Sequence, residues 1–199
     1  MFTRGIFPLL LASFLLLTMY DTPYTSVSAY PVRELHQQGM QYKLDSYLPE
    51  TGFPLCNIHL DTLVWNRVQS RTNTTQPLAY AWQLTARGRV EHTGPEFISL
   101  RLTLVTRTGT ALSLPETEYI AISWDTARNH PITLQDLTTD AACAAQSVAA
   151  AHPSGTSIEA SAPVLLLPHH METTCADGHI ITLPYEALRH CELKAGYQR

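Results

Sequence analysis

The C-terminal third of the chain gathers the residue types that hold metals: His169, His170, Cys175, His179, His190 and Cys191. Neutral imidazole and thiolate together suit zinc or copper. Neighbours on a strand point to opposite faces, so His169 and His170 do not form a chelating pair there. The cysteines follow neither a CxxC nor a zinc-knuckle spacing, and oxidised cysteines withdraw from coordination altogether. The expectation is therefore no metal and no cofactor. The alternative is a site on His179 and His190 with Cys175 or Cys191.

Nucleophilic and acid–base chemistry finds less support. There is no Gly-x-Ser-x-Gly elbow and no HExxH helix. Serine, histidine and aspartate occur as they do in any chain of this size, which is no basis for a triad. Glu116 and Glu118 share one face of a strand and read as its solvated entrance. Asp125 and Asp136 read as turn or cap residues. No catalytic residue is assigned. Trp65, Trp82 and Trp124 could stack on sugars, but Trp82 and Trp124 fall on apolar strand faces and read as core. Arg101, Thr103 and Arg107 share the opposite face of their strand. They form the expected ligand surface, because alternate side chains build a continuous flat patch.

The remaining elements must position these residues outside the cytoplasm. Residues 1–29 read as an export signal, with Arg4 in a short leading region and an almost entirely apolar run from Ile6 to Met19. That run is short for a bilayer span, and Val27-Ser28-Ala29 offers a small-x-small cleavage pattern. Cleavage after Ala29 is expected, and an uncleaved anchor is the rival reading and the only route to a membrane. Residues 30–199 then form a single periplasmic or secreted domain, long enough to bury a core. Loss of Arg4 takes the formal charge from −4 to −5. Such a chain has no basic field for nucleic acid or anionic membranes, whereas a cationic protein is electrostatically welcome.

In an exported chain, the even set Cys56, Cys143, Cys175 and Cys191 favours disulfides. Three pairings are possible. Cys175–Cys191 is the more local one and is preferred, with Cys56–Cys143 as its complement. Each would contribute about 2–4 kcal/mol by restricting the unfolded chain.

Residues 42–48 form an entry strand before Pro49 and the Gly52-Phe53-Pro54 turn. Cys56, Leu60, Leu63, Val64 and Val68 fall at helical spacing and predict a helix over 55–70. A polar loop, Asn73-Thr74-Thr75-Gln76-Pro77, follows. Period two then begins at Leu78, Tyr80, Trp82 and Leu84. It strengthens at Ile98, Leu100, Leu102 and Leu104, turns at Thr108-Gly109-Thr110, and returns at Ile120, Ile122 and Trp124. One-sided strands this close in sequence predict an antiparallel meander covered by the helix. Thr133 is a plausible N-cap, and Asp140 caps an alanine-rich helix over 141–151 that Pro153 ends. Residues 158–167 and 180–183 read as further strands, and Pro184 opens a final helix. The fold class is α+β, with about four to five antiparallel strands covered on one face by helices.

The order of these elements resembles the extracytoplasmic module of lysozyme-sensing anti-sigma factors, also found beside peptidoglycan deacetylase catalytic domains. The matching phrases begin with Tyr42-Lys43-Leu44-Asp45-Ser46-Tyr47, then Pro54 and Asn57. They continue through Phe97-Ile98-Ser99-Leu100, Thr108-Gly109 and Ser123-Trp124-Asp125 to Pro131-Ile132-Thr133-Leu134-Gln135-Asp136-Leu137. They close on Gly178 and Leu183-Pro184-Tyr185-Glu186-Ala187-Leu188. Thr110 and Leu112 stand where that family usually has a glycine and a histidine. The resemblance spans residues 42–188 and implies a domain family of unknown function that binds or senses rather than catalyses. It implies a protein ligand at the cell envelope, a lysozyme-like cationic muramidase among the candidates. A cell-wall glycan-binding module and an envelope metal-binding protein are the alternatives.

Overall fold

The chain was analysed as a computed structural model that describes residues 30–73, 81–109, 114–151, 158–175 and 179–194. The export signal expected over residues 1–29 and the strand start at Leu78 and Tyr80 lie outside the described residues. Among the described residues, six strands form the main sheet, in the order β1 (Val32–Gln38), β2 (Tyr42–Pro49), β3 (Trp82–Thr93), β4 (Phe97–Thr108), β5 (Glu116–Asp125) and β6 (His130–Pro131). A second sheet of three antiparallel strands follows: β7 (Val164–Leu166), β8 (His170–Thr174) and β9 (Ile180–Pro184).

The expectation of four to five antiparallel strands is corrected on two counts. The main sheet has six strands, and β2 runs parallel to β3, with Tyr42 opposite Trp82 and Tyr47 opposite Arg87. A parallel pair needs a long crossover, and helix α1 (Pro54–Thr72) lies in that connection. The remaining neighbours pair antiparallel. β1 escapes a periodicity reading because it is an edge strand exposed along nearly its whole length.

The period-two runs bury one face as expected. Leu44, Leu84, Leu100, Leu102 and Ile122 pack against Leu60, Val64 and Val68 of α1. Trp82 and Trp124 join this core, and Trp65 packs at its margin. The entry of α1 is tied down by Asn57, whose Oδ1 accepts from the Thr51 amide at 3.1 Å and the Thr51 hydroxyl at 2.8 Å. At the other end of α1, Arg67 pairs with Glu116 and Glu118, and Arg71 with Glu116. These exposed pairs add little stability.

A second core forms from α2 (Leu134–Leu137), α3 (Ala141–Ala151) and the small sheet, and includes Ile132, Leu137, Val148, Val164 and Leu183. Thr133 and Asp136 complete a capping box on α2. Asp140 accepts the Cys143 amide at the start of α3 at 2.9 Å. Pro184 precedes a 3-10 helix (Tyr185–Cys191) as its N-cap rather than as its first residue. The small sheet docks through a polar seam: the Ser99 and Ser123 hydroxyls lie 2.8 Å apart, and Ser123 Oγ accepts the buried Leu166 amide at 2.8 Å. No helix among the described residues is long and apolar enough to cross a membrane.

The disulfide expectation is corrected outright. Cys143 and Cys191 are bonded, with Cα atoms 5.5 Å apart, and Cys56 and Cys175 are buried thiols. Cys56 belongs to the α1 core, while Cys143 rides on α3, which packs into the other core, so that pair cannot meet. α3 lies against the 3-10 helix, which brings Cys143 rather than Cys175 to Cys191. Burial pushes the Cys56 thiol up to about 11, so it is unreactive.

Candidate ligand-binding face

The strand register arranges the outward side chains of the main sheet in rows, because directly paired residues share a face. One row runs Glu34, Tyr47, Arg87, Thr103, Tyr119 across five strands. The next runs His36, Asp45, Thr85, Val105, Thr117, and a third runs Gln38, Lys43, Gln83, Arg107. On the far side of these rows, the small sheet covers Ser99 and Ser123, as the Leu166 bond shows. The outward face is thus half closed and half open.

Arg101 marks the boundary. Its guanidinium donates to Glu172 of β8 at 2.7 Å and to Glu91 at 3.2 Å. A bulge between Val90 and His92 adds Glu91 to β3, where its carboxylate also accepts from Arg89. Of the expected ligand surface, Arg101 is therefore a clasp between sheets, whereas Thr103 and Arg107 lie on the open half. Arg87 and Arg107 are exposed and make no ion pair among the described residues. Arg87 lies 5.9 Å over the Tyr47 ring, and Tyr119 is 45% exposed. The sequence did not single out Tyr47, Arg87 or Tyr119. The signal was present in the outward positions of each strand, but the register that joins them is not local.

The third row ends at an open cavity of about 460 Å³, lined by Met40, Tyr42, Lys43, Trp82, Gln83 and Arg107 among others. Tyr42 stacks on Trp82 with ring centroids 5.6 Å apart. Lys43 and Arg107 at the cavity suit a ligand that carries a carboxylate.

Asp45 is the most highly connected polar group of the face. It accepts from His36 Nδ1 at 2.8 Å, Gln83 Nε2 at 2.7 Å and Lys43 Nζ at 3.0 Å. The His36 and Lys43 bonds hold its carboxyl down at about 2, and Asp45 in turn raises His36. An imidazole on a carboxylate supplies two of the three members of a hydrolytic triad, but the other ring nitrogen faces Glu34 Oε2 at 3.6 Å rather than a hydroxyl. The pair orders the face. Its pH signature has a fixed sign. A depressed carboxyl contributes stability above its unfolded value of 3.8, and that contribution is lost as pH falls toward about 2. A raised histidine contributes below 6.5 and loses its contribution as pH rises through its folded value. Thermal melts should show the deficit of Asp45→Asn shrinking from about pH 5 downward, and that of His36→Gln shrinking as pH rises above the ordinary histidine value of 6.5. Deficits that stay flat with pH would mean that the pair is not formed.

The other expected residues find their places. Asp125 accepts the Ala127 and Arg128 amides at 2.9 and 2.7 Å, and Asp136 closes the α2 box, so both do turn or cap duty. His170 Nε2 lies 3.6 Å from Glu172. The carbonyl of His179 accepts the Cys175 amide at 2.8 Å. The structure does not bring His179 to His190: the latter sits with Cys143 and Cys191 instead.

No protein-family model and no curated protein matches this sequence. Solved structures are similar, among them two of one family. A DUF3298 family protein from Pseudomonas aeruginosa PAO1 is 16% identical, with TM-score 0.50 over 84% of this chain and 96% of that one. A member of the same family from Bacteroides fragilis NCTC 9343 is 12% identical, with TM-score 0.46 over 84% and 94%. The likeness to the Pseudomonas protein shows a shared fold, that of a DUF3298 family protein, a domain family of unknown function.

Proposed function

We propose that this protein is a non-catalytic binding domain working outside the cytoplasm at the bacterial cell envelope, and that its ligand docks on the open half of the outward sheet face. The observation that carries this reading is the row Tyr47, Arg87, Thr103 and Tyr119. It presents rings and an arginine unpaired among the described residues, on a rigid sheet beside a half that is already covered. Rigid aromatic and arginine side chains are the types that anchor interfaces.

The ligand proposed first is a lysozyme-like muramidase, as the resemblance of the sequence implies. The chain's net negative charge would speed the approach of a cationic protein. Arg87 and Arg107 would then face the paired carboxylates that such an enzyme carries in its cleft. A wall glycan is the second reading, favoured by the exposed Tyr119 ring.

Calorimetric titration of the oxidised protein with a cationic lysozyme, at low and high salt, tests the first reading. Saturable 1:1 binding that persists in salt is expected, and the double charge reversal Arg87→Glu, Arg107→Glu should weaken it at least tenfold, about 1.4 kcal/mol or more. Heat that salt abolishes, or a reversal without effect, removes the muramidase. The same titration with soluble wall fragments, and its loss in Tyr119→Ala, then decides for or against the glycan. Arg101→Glu is unsuitable as a probe, because it unseats the Glu91 and Glu172 clasp.

A further inference from the structure

We infer that Cys143, His190 and Cys191 form a binding site for a thiophilic divalent cation of the zinc type, available only when the Cys143–Cys191 disulfide is reduced. The two sulfurs and one imidazole nitrogen all lie within 4.8 Å of one another. Two thiolates and an imidazole are a recurrent zinc set that leaves a fourth position for water. Tetrahedral coordination at metal–sulfur distances of about 2.3 Å needs sulfurs about 3.7 Å apart. Cα atoms at 5.5 Å allow this by side-chain rotation alone, without moving α3 from the 3-10 helix.

The surroundings fit a ligand rather than a bare crosslink. Cys191 is buried, Cys143 half-buried and His190 exposed, so the site has a closed floor and an open mouth. Ser147, one turn along α3 from Cys143, places its hydroxyl 3.2 Å from His190 Nε2 and 3.6 Å from Cys191 Sγ. Its proton goes to the Cys143 carbonyl at 2.9 Å, which leaves the oxygen lone pairs for the imidazole N–H or a metal-bound water.

The oxidised and metal-bound states exclude each other. A dithiol reductant opens the site: one of its thiolates attacks a protein sulfur and breaks the Cys143–Cys191 bond. Its second thiol then resolves the mixed disulfide, so the reductant leaves as a disulfide and both protein sulfurs become thiols. The cation displaces the two thiol protons to solvent. Zinc held this way blocks re-formation of the disulfide until it is removed.

The test uses the full-length protein with Cys56→Ala and Cys175→Ala, reduced by a dithiol that is then removed without air. Co²⁺ should bind at one equivalent with the absorption of a tetrahedral thiolate site, and Zn²⁺ should displace it. The oxidised protein should bind neither ion. His190→Ala should weaken binding at least tenfold while still forming its disulfide. Zinc should raise the Tm of the reduced protein but not that of reduced His190→Ala. No stoichiometric cobalt site, equal affinity with and without His190, or equal binding by the oxidised protein would each overturn the proposal. A reduced chain whose near-ultraviolet circular dichroism is lost, and does not return with zinc, would overturn it too.

Discussion

Alanine at both Cys143 and Cys191 should lower the unfolding free energy by about 4 kcal/mol, read from urea denaturation under non-reducing conditions. The bond closes a loop between residues 48 apart in sequence, and that span sets the entropy removed from the unfolded chain. In a domain of this size, the loss corresponds to roughly 10 °C of Tm. The local pairing Cys175–Cys191 would close a much shorter loop and contribute less. Alanine at Cys56 and Cys175 should leave the bond intact, and peptide mapping should recover Cys143 and Cys191 in one crosslinked fragment. A loss under about 1 kcal/mol would show that residual structure already holds the unfolded chain together there.

Leu100→Ala is expected to cost about 3 kcal/mol, within a range of roughly 2–5. Leu100 is fully buried in the middle of β4, between Val90 and Ile122. The removed methyl groups leave a cavity between β4 and α1, and a strand paired on both sides cannot collapse to fill it. Leu35→Ala on the edge strand β1, where the side chain is 43% exposed, should change stability by no more than about 0.5 kcal/mol. Two leucines on the same face of the sheet thus test whether the core lies at its centre beneath α1 rather than at its β1 edge. Similar losses at both would contradict the packing described.

Several features were legible because their causes are local. Helical spacing from Cys56 to Val68 marks α1, and alternation marks β4, the buried part of β5, and Trp82 and Trp124 as core. Thr133 and Asp140 act on amides within three residues of themselves, so a cap is visible in sequence. Alternation also shows which face of a strand is apolar. It cannot show what covers the other face. Arg101 and Arg107 look equivalent in sequence, yet the docking of β8 makes the first a clasp to Glu172 and leaves the second open.

The α+β class, the helix, the strand faces and the caps can be read along the chain, because each follows from side-chain periodicity or hydrogen bonds a few residues long. The parallel β2–β3 pair, the cysteine partners, the joining of Tyr47, Arg87 and Tyr119 into one row, and the meeting of His190 with two sulfurs emerge only in the folded molecule. Each of these joins residues far apart in the chain, and the choice among such pairings belongs to the packing of whole faces, which no single segment encodes.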